Sequence, residues 1–238
     1  MFIVSFLSPI TFLKLSTLIF LIKYFPKLIK KFIRKNRLLY WILFPPDNFF
    51  KFEYGNKAEF QAWEFVINKL KNYSSICELG CFNGRIAFKL GKSLQNKRYV
   101  GIDINFIAIL IAKIFNIFKG YQNFSFDCKK GVMVSNENCE LFLSVATVIY
   151  FSEIELTSFI KAIKFNKSFK ALVLHEIFLN ESFHNSKKTF IDDNLNIHSI
   201  SMIKEKFGSN YDVEVIRTFY ANWEKEDRIS AILYIKKR

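Results

Sequence analysis

The sequence predicts an α/β protein, a three-layer sandwich with helices on both faces of a seven-stranded, mostly parallel sheet that ends in an antiparallel hairpin. Two observations carry this. From Ile76 to His175, short apolar runs of strand length alternate with helical runs, the pattern of parallel strands joined by crossovers. The last two apolar runs, Tyr211–Phe219 and Ser230–Ile235, have no helix between them, so they pair as an antiparallel hairpin. A third feature, the apolar and basic stretch 1–44, adds N-terminal helices outside this frame.

With 238 residues, of which 51% are hydrophobic, the chain can bury a sizeable core and is not a disordered protein. The count of Phe, 29, reflects a compositional bias toward Phe, Ile, Lys and Asn rather than a set of functional aromatics. Cys77, Cys81, Cys128 and Cys139 match neither a zinc spacing nor a secreted disulfide framework. They fit reduced thiols of a cytoplasmic protein. No metal site is expected.

The net charge of +14 is unevenly spread. Eight Lys or Arg and no acid precede Asp47, interleaved with Leu, Ile and Phe. Cations beside apolar sequence suit an anionic membrane surface better than a nucleic-acid groove. Three placements fit residues 1–44: a helix in the membrane interface with Tyr40 and Trp41 as anchors, a tilted signal-anchor with its basic flank in the cytoplasm, or helices packed on the domain. The first two put the protein at the inner face of a membrane. Pro45-Pro46-Asp47-Asn48 marks the boundary, giving an extension 1–45 and a domain 46–238.

Within the domain, Lys57–Leu70 has apolar residues at helical spacing and forms a lead-in helix. Ile76–Leu79 is a strand, Arg85–Ser93 a helix and Tyr99–Asp103 a strand. Phe106–Phe118 is apolar enough to demand a well-buried helix. Phe124–Phe126 and Glu140–Val145 are strands, and Ser152–Phe165 is a helix with Ser152 and Glu155 at capping-box spacing. Ala171–His175 is the fifth strand. A polar region, Asn180–Asn196, precedes a short helix, Ile197–Lys206, that ends at Gly208.

Chemistry concentrates in Ile76–Asn105. Glu78-Leu-Gly80-Cys-Phe-Asn-Gly84 ends a strand and opens a helix. Gly80 permits a sharp turn, and Gly84 allows close packing as the helix starts. Glu78 at the end of an apolar strand needs a partner if it is buried; a ligand ammonium or backbone donors in the turn would supply one, and a solvated Glu on an ordinary strand–turn–helix is the plain alternative. Asp103 ends the second strand at the spacing where an acid meets ribose hydroxyls. It is also well placed to cap the following helix.

ELGCFNGR and YVGIDIN resemble motif I and the acidic-loop motif of the class I S-adenosylmethionine-dependent methyltransferases, from about Lys57 to the C-terminus. The resemblance implies that Glu78, Gly80, Cys81 and Gly84 line the methionine side of S-adenosylmethionine. It implies that Asp103 and Ile104 hold the ribose end, that Asp127 meets the adenine amino group, and that Ser144 opens onto the reacting methyl. Asp127 could instead cap a turn. The chain departs from the family at Phe82, where a third glycine is usual. Glu140 stands where the fourth-strand motif often has an Asp.

Methyl transfer needs an oriented acceptor and, for a hydroxyl, removal of its proton. Tyr150, His175 and Glu176 lie at the carboxyl ends of strands, and His175 is the best general base unless it is a structural histidine. His184 and His198 fall in the region that covers the acceptor. The expected acceptor is a small molecule, a sugar or a lipid-linked compound, methylated on oxygen; nucleic acid ranks last. Two other readings are a nicotinamide-dependent oxidoreductase, disfavoured by the absence of G-x-G-x-x-G, and a non-catalytic membrane-associated nucleotide-binding or interaction module.

Overall fold

The computed structural model describes residues 57–182, 189–192, 195–218 and 228–238. The chain divides into two units, Met1–Asp47 and Asn48–Arg238, and all described residues belong to the second. The apolar, basic stretch 1–44, the Pro45–Asn48 boundary and His184 lie outside them.

The elements run α1 (Lys57–Leu70), β1 (Ser75–Leu79), α2 (Arg85–Lys89), β2 (Arg98–Asp103), α3 (Phe106–Lys119), β3 (Phe124–Cys128), β4 (Leu141–Val145), α4 (Glu153–Phe165), β5 (Ala171–Leu179), β6 (Thr189–Asp192), β7 (Leu195–His198), α5 (Ile200–Phe207), β8 (Tyr211–Thr218) and β9 (Arg228–Lys237). Seven strands form one sheet in the order β3-β2-β1-β4-β5-β9-β8. β1 to β5 pair in parallel, and β9 is antiparallel to both β5 and β8. The expected architecture, including the closing hairpin, is the observed one. The strand order reverses between β1 and β4, so the carboxyl ends of these two neighbours flank the crevice where open α/β sheets take ligands.

Strand alternation sends side chains to two cores. Ile76, Tyr99, Leu143 and Val173 pack with α1, α2 and α3 on one face. Cys77, Val100, Phe142 and Leu172 pack with Leu156, Phe159 and Ile163 of α4 and Met202, Ile203 and Phe207 of α5 on the other. Helices on both faces complete the three layers. α4 starts as its sequence suggests: the Ser152 hydroxyl accepts from Glu155 N at 3.3 Å, and the Glu155 carboxylate accepts from Ser152 N at 2.7 Å.

Four local expectations are corrected. α2 stops at Lys89, and Gly91–Leu94 continues as a 3-10 turn, because glycine weakens a helix interior. The polar region after β5 contains β6, which pairs with β7 as a small separate sheet. Ile197 therefore sits in a strand, and α5 begins at Ile200, where the Ser199 hydroxyl accepts from Met202 N at 3.1 Å. Finally, α3 buries Ala108, Ile109 and Ala112 but exposes Phe106, Ile107, Leu110, Ile117 and Phe118, so it is not the enclosed helix its composition suggests.

Candidate functional site

The turn between β1 and α2 is left-handed at three residues: Gly80 at φ 71°, Phe82 at φ 53° and Gly84 at φ 78°. The two glycines need their missing side chains as well. A Cβ on Gly80 would lie 2.0 Å from Thr147 Oγ1, and one on Gly84 would lie 2.6 Å from Phe88 Cε2 and 3.0 Å from Phe126. Gly80 thus lets the β4–α4 turn lean on the β1–α2 turn, and Gly84 seats α2 on the sheet. Phe82 keeps the left-handed backbone where a third glycine is usual, at a conformation most side chains avoid.

The turn is tied to β2. The N–H groups of Gly80 and Cys81 both donate to Ile102 O, at 2.8 and 3.1 Å. Phe82 N donates to Asp103 Oδ2 at 2.9 Å, and Asn105 N donates to Asp103 Oδ1 at 2.8 Å. The capping of α3 falls to Asn105, whose Oδ1 accepts from Ala108 N at 3.1 Å. The N–H of Ile104 also donates to the carboxylate, and its lone pairs still leave room for a hydroxyl. Burial raises the carboxyl above its ordinary value, and the backbone donors oppose that.

Glu78 is enclosed on the α2 side of β1, and its partner is the Tyr99 hydroxyl of β2, which donates to Oε2. Burial pushes its carboxyl up to about 7, against the Tyr99 donation and the nearby charge of Arg85. Neither the turn backbone nor a ligand is needed to satisfy that oxygen. Cys81 turns inward: a Cβ on Gly101 would meet its Sγ at 2.8 Å, so Gly101, which carried no expectation, makes room for it. Cys77 packs in the core on the other face, so the two thiols lie in different cores. Among the described residues, no group of three His, Cys, Asp or Glu side chains could hold a metal.

The remaining expected residues distribute along the carboxyl edge. Ile104 is exposed just past β2. Asp127, on β3 opposite Ile102, accepts from Lys129 Nζ at 3.1 Å, and Lys129 also reaches Glu137 Oε1 at 2.7 Å. Ser144 is buried on β4 and donates to Glu176 Oε1 at 2.8 Å. Tyr150 ends the 3-10 turn Val148–Tyr150. His175 lies on β5 opposite Val145, 2% exposed, and burial lowers its pKa to about 4. His198 Nε2 pairs with Phe151 O at 2.9 Å. Glu140 is on the opposite edge, where Ser74 N (2.7 Å) and Lys170 Nζ (2.5 Å) hold it and draw its pKa down to about 2.

Glu176 proves the most unusual side chain of the edge. It is buried at 1% exposure. Its Oε1 accepts from Ser144 Oγ and from the N–H groups of Thr147 and Val148, each at 3.0 Å, while its Oε2 has no hydrogen-bond partner among the described residues. Burial raises it to about 7, opposed by these donors. Glu176 therefore shapes the turn whose Thr147 rests on Gly80. The sequence sets His175 and Glu176 at the end of a strand, whereas β5 runs on to Leu179 and holds both in mid-strand; the sequence favours His175 over Glu176 because burial is not written there.

By sequence, no family model and no curated protein matches this chain. Solved structures do match. Magnesium protoporphyrin IX methyltransferase from Synechocystis PCC 6803, with bound S-adenosylmethionine, aligns at a TM-score of 0.63 with 12% identity, over 86% of this chain and 97% of that one. An O-methyltransferase of a polyketide synthase multienzyme from Brevibacillus brevis, in complex with S-adenosylhomocysteine, aligns at 0.58 with 10% identity, over 75% of this chain and 73% of that one. The [4+2]-cyclase SpnF aligns at 0.59 with 14% identity, over 77% of this chain and 86% of that one. The fold is that of the class I methyltransferases.

Proposed function

We propose that this chain is an S-adenosylmethionine-dependent methyltransferase that acts on a small-molecule, sugar or lipid-linked acceptor at oxygen. The observation that carries the reading is the left-handed turn 80–84, joined to the acid of β2 by the Phe82 N–H on Asp103 at 2.9 Å. A turn at the end of β1 and an acid at the end of β2 set a glycine-bearing turn and a ribose acceptor a strand spacing apart. The residues present fit the cofactor: Gly80 and Gly84 sustain the left-handed turn, the Asp103 carboxylate has room for a further donor, and Asp127 stands on the next strand. The neighbours crystallised with S-adenosylmethionine or S-adenosylhomocysteine support the same ligand.

When bound, the cofactor supplies an electrophilic methyl carbon. The chain's own part is to hold ribose through Asp103 and Ile104, adenine through Asp127, and the methionine side through Glu78, Gly80, Cys81 and Gly84, with Ser144 beside the methyl. For a hydroxyl acceptor, His175 and Tyr150 are the catalytic candidates. Burial that lowers the imidazole to about 4 keeps it neutral at physiological pH but makes it a weaker base than an ordinary histidine. Residues 1–44 hold the protein to the inner face of a membrane, on the strength of their eight cations and absent acids. No helix among the described residues is long and apolar enough to cross one.

Calorimetric titration with S-adenosylhomocysteine, with NADH as the control, tests the reading. Heat from the first and none from the second is the expected result; heat from NADH alone would replace it with the oxidoreductase.

A further inference from the structure

We infer that the outer face of α3 is a membrane-docking surface that lies in the headgroup region of an anionic bilayer. The inference stands apart from methyl transfer and from residues 1–44. α3 turns Ala108, Ile109 and Ala112 to the sheet. The opposite side carries Phe106, Ile107, Leu110, Ile117 and Phe118, all exposed, with Ile117 at 78% and Phe118 at 82%. At 100° per residue these five fall within one stripe about 120° wide, centred opposite the buried three. Large apolar side chains gathered on one face of a folded protein mark an interaction surface rather than scattered exposure.

Charge selects the occupant. Between Arg85 and Asn123 the chain has seven Lys or Arg and a single acid; of the seven, Lys97 and Arg98 are held at the amino edge of the sheet by Tyr73 O and Asn138 O. That acid is Asp103, which is tied to the backbone of the turn. Lys113 borders the apolar stripe. Lys89 follows Phe88, whose ring packs on Phe115 of α3 at 6.3 Å between centroids. An apolar stripe bordered by cations without acids is the makeup of a helix that lies in an interface, where anionic headgroups attract each Lys or Arg. A second copy of this chain suits the face less well. A two-fold contact sets the same patch against itself and would bring lysine-rich segments together, a repulsive arrangement. With 14 residues, α3 is about 21 Å long, and its N-cap Asn105 comes two residues after Asp103, so a docked α3 brings the carboxyl edge of the sheet close to the bilayer surface.

The test uses the full chain with Phe118→Trp and vesicles of brominated phosphatidylcholine, with and without phosphatidylglycerol. The wild-type chain supplies the baseline for its own tryptophans. The expected result is extra emission that is quenched in the anionic vesicles and is lost at high salt. An Ile107→Trp probe in a Phe118→Glu and Ile117→Glu background should lose at least tenfold in vesicle affinity of the probe helix. Urea unfolding shows that each variant is folded, whether or not it binds S-adenosylhomocysteine. Absence of quenching beyond the baseline overturns the inference. So does concentration-dependent self-association without lipid that the two Glu substitutions abolish, which would assign the face to a second copy.

Discussion

Replacing Glu176 by Gln isolates one ionisable group whose burial should be visible in the stability of the whole domain. The carboxyl rises from 4.5 to about 7 on folding, so the folded state holds a proton that the unfolded chain releases earlier. A raised acid favours the folded state fully below pH 4.5, and that advantage is lost as pH climbs through 7. The full span corresponds to about 3 kcal/mol. Glu78 adds a loss of the same sign. His175, held down to about 4, acts oppositely: its contribution is present above pH 6.5 and lost as pH falls toward 4. The wild-type curve therefore mixes opposing slopes, and the difference between wild type and Glu176→Gln is the clean quantity. Gln keeps an oxygen for Ser144, Thr147 and Val148 but leaves a buried amide unpaired, a constant cost of about 1–3 kcal/mol. Urea unfolding at intervals from pH 4.5 to 7.5 should show the variant gaining about 3 kcal/mol on wild type across that range. Two parallel curves would refute the reasoning, because they would mean that Glu176 ionises alike in both states.

Further substitutions probe the turn. Gly80→Ala adds a Cβ 2.0 Å from Thr147 Oγ1 at φ 71°, and chemical denaturation should show a loss of about 2–4 kcal/mol; adding Thr147→Ala should restore only part, since Thr147 Cβ remains at 2.7 Å. Phe82→Val forces a β-branched residue into φ 53° and should lose about 1–3 kcal/mol in the same assay, whereas Phe82→Gly should change stability by no more than about 1 kcal/mol. Asp103→Asn removes the ribose acceptor charge and should weaken S-adenosylhomocysteine about tenfold or more by calorimetry; unchanged affinity would remove Asp103 from the site.

The sheet was legible because its strands are short apolar runs separated by helices or turns, and because the sequence shows no helical run between its last two apolar stretches. The turn was legible because Gly80, Gly84 and Asp103 keep their spacing. β6 and β7 escaped notice because they are four residues each, too short for a period to show. α3 was misjudged for a different reason: composition reports how apolar a helix is, not whether a neighbour covers it. The partner of Glu78 depends on register. Tyr99 reaches it only because β1 and β2 align Ile76 with Tyr99 and Glu78 with Gly101, a pairing that no local pattern in the sequence specifies.

Phe82 has a thermodynamic consequence for ligand capture. A glycine at this position would sample many backbone conformations whenever the turn loosened, and a ligand would have to arrest them. A phenylalanine held at φ 53° has few alternatives open to it, so the conformational restriction is completed during folding. Ligand arrival then orders little further backbone, and the entropy of association should be correspondingly less unfavourable than for a three-glycine version of the same turn.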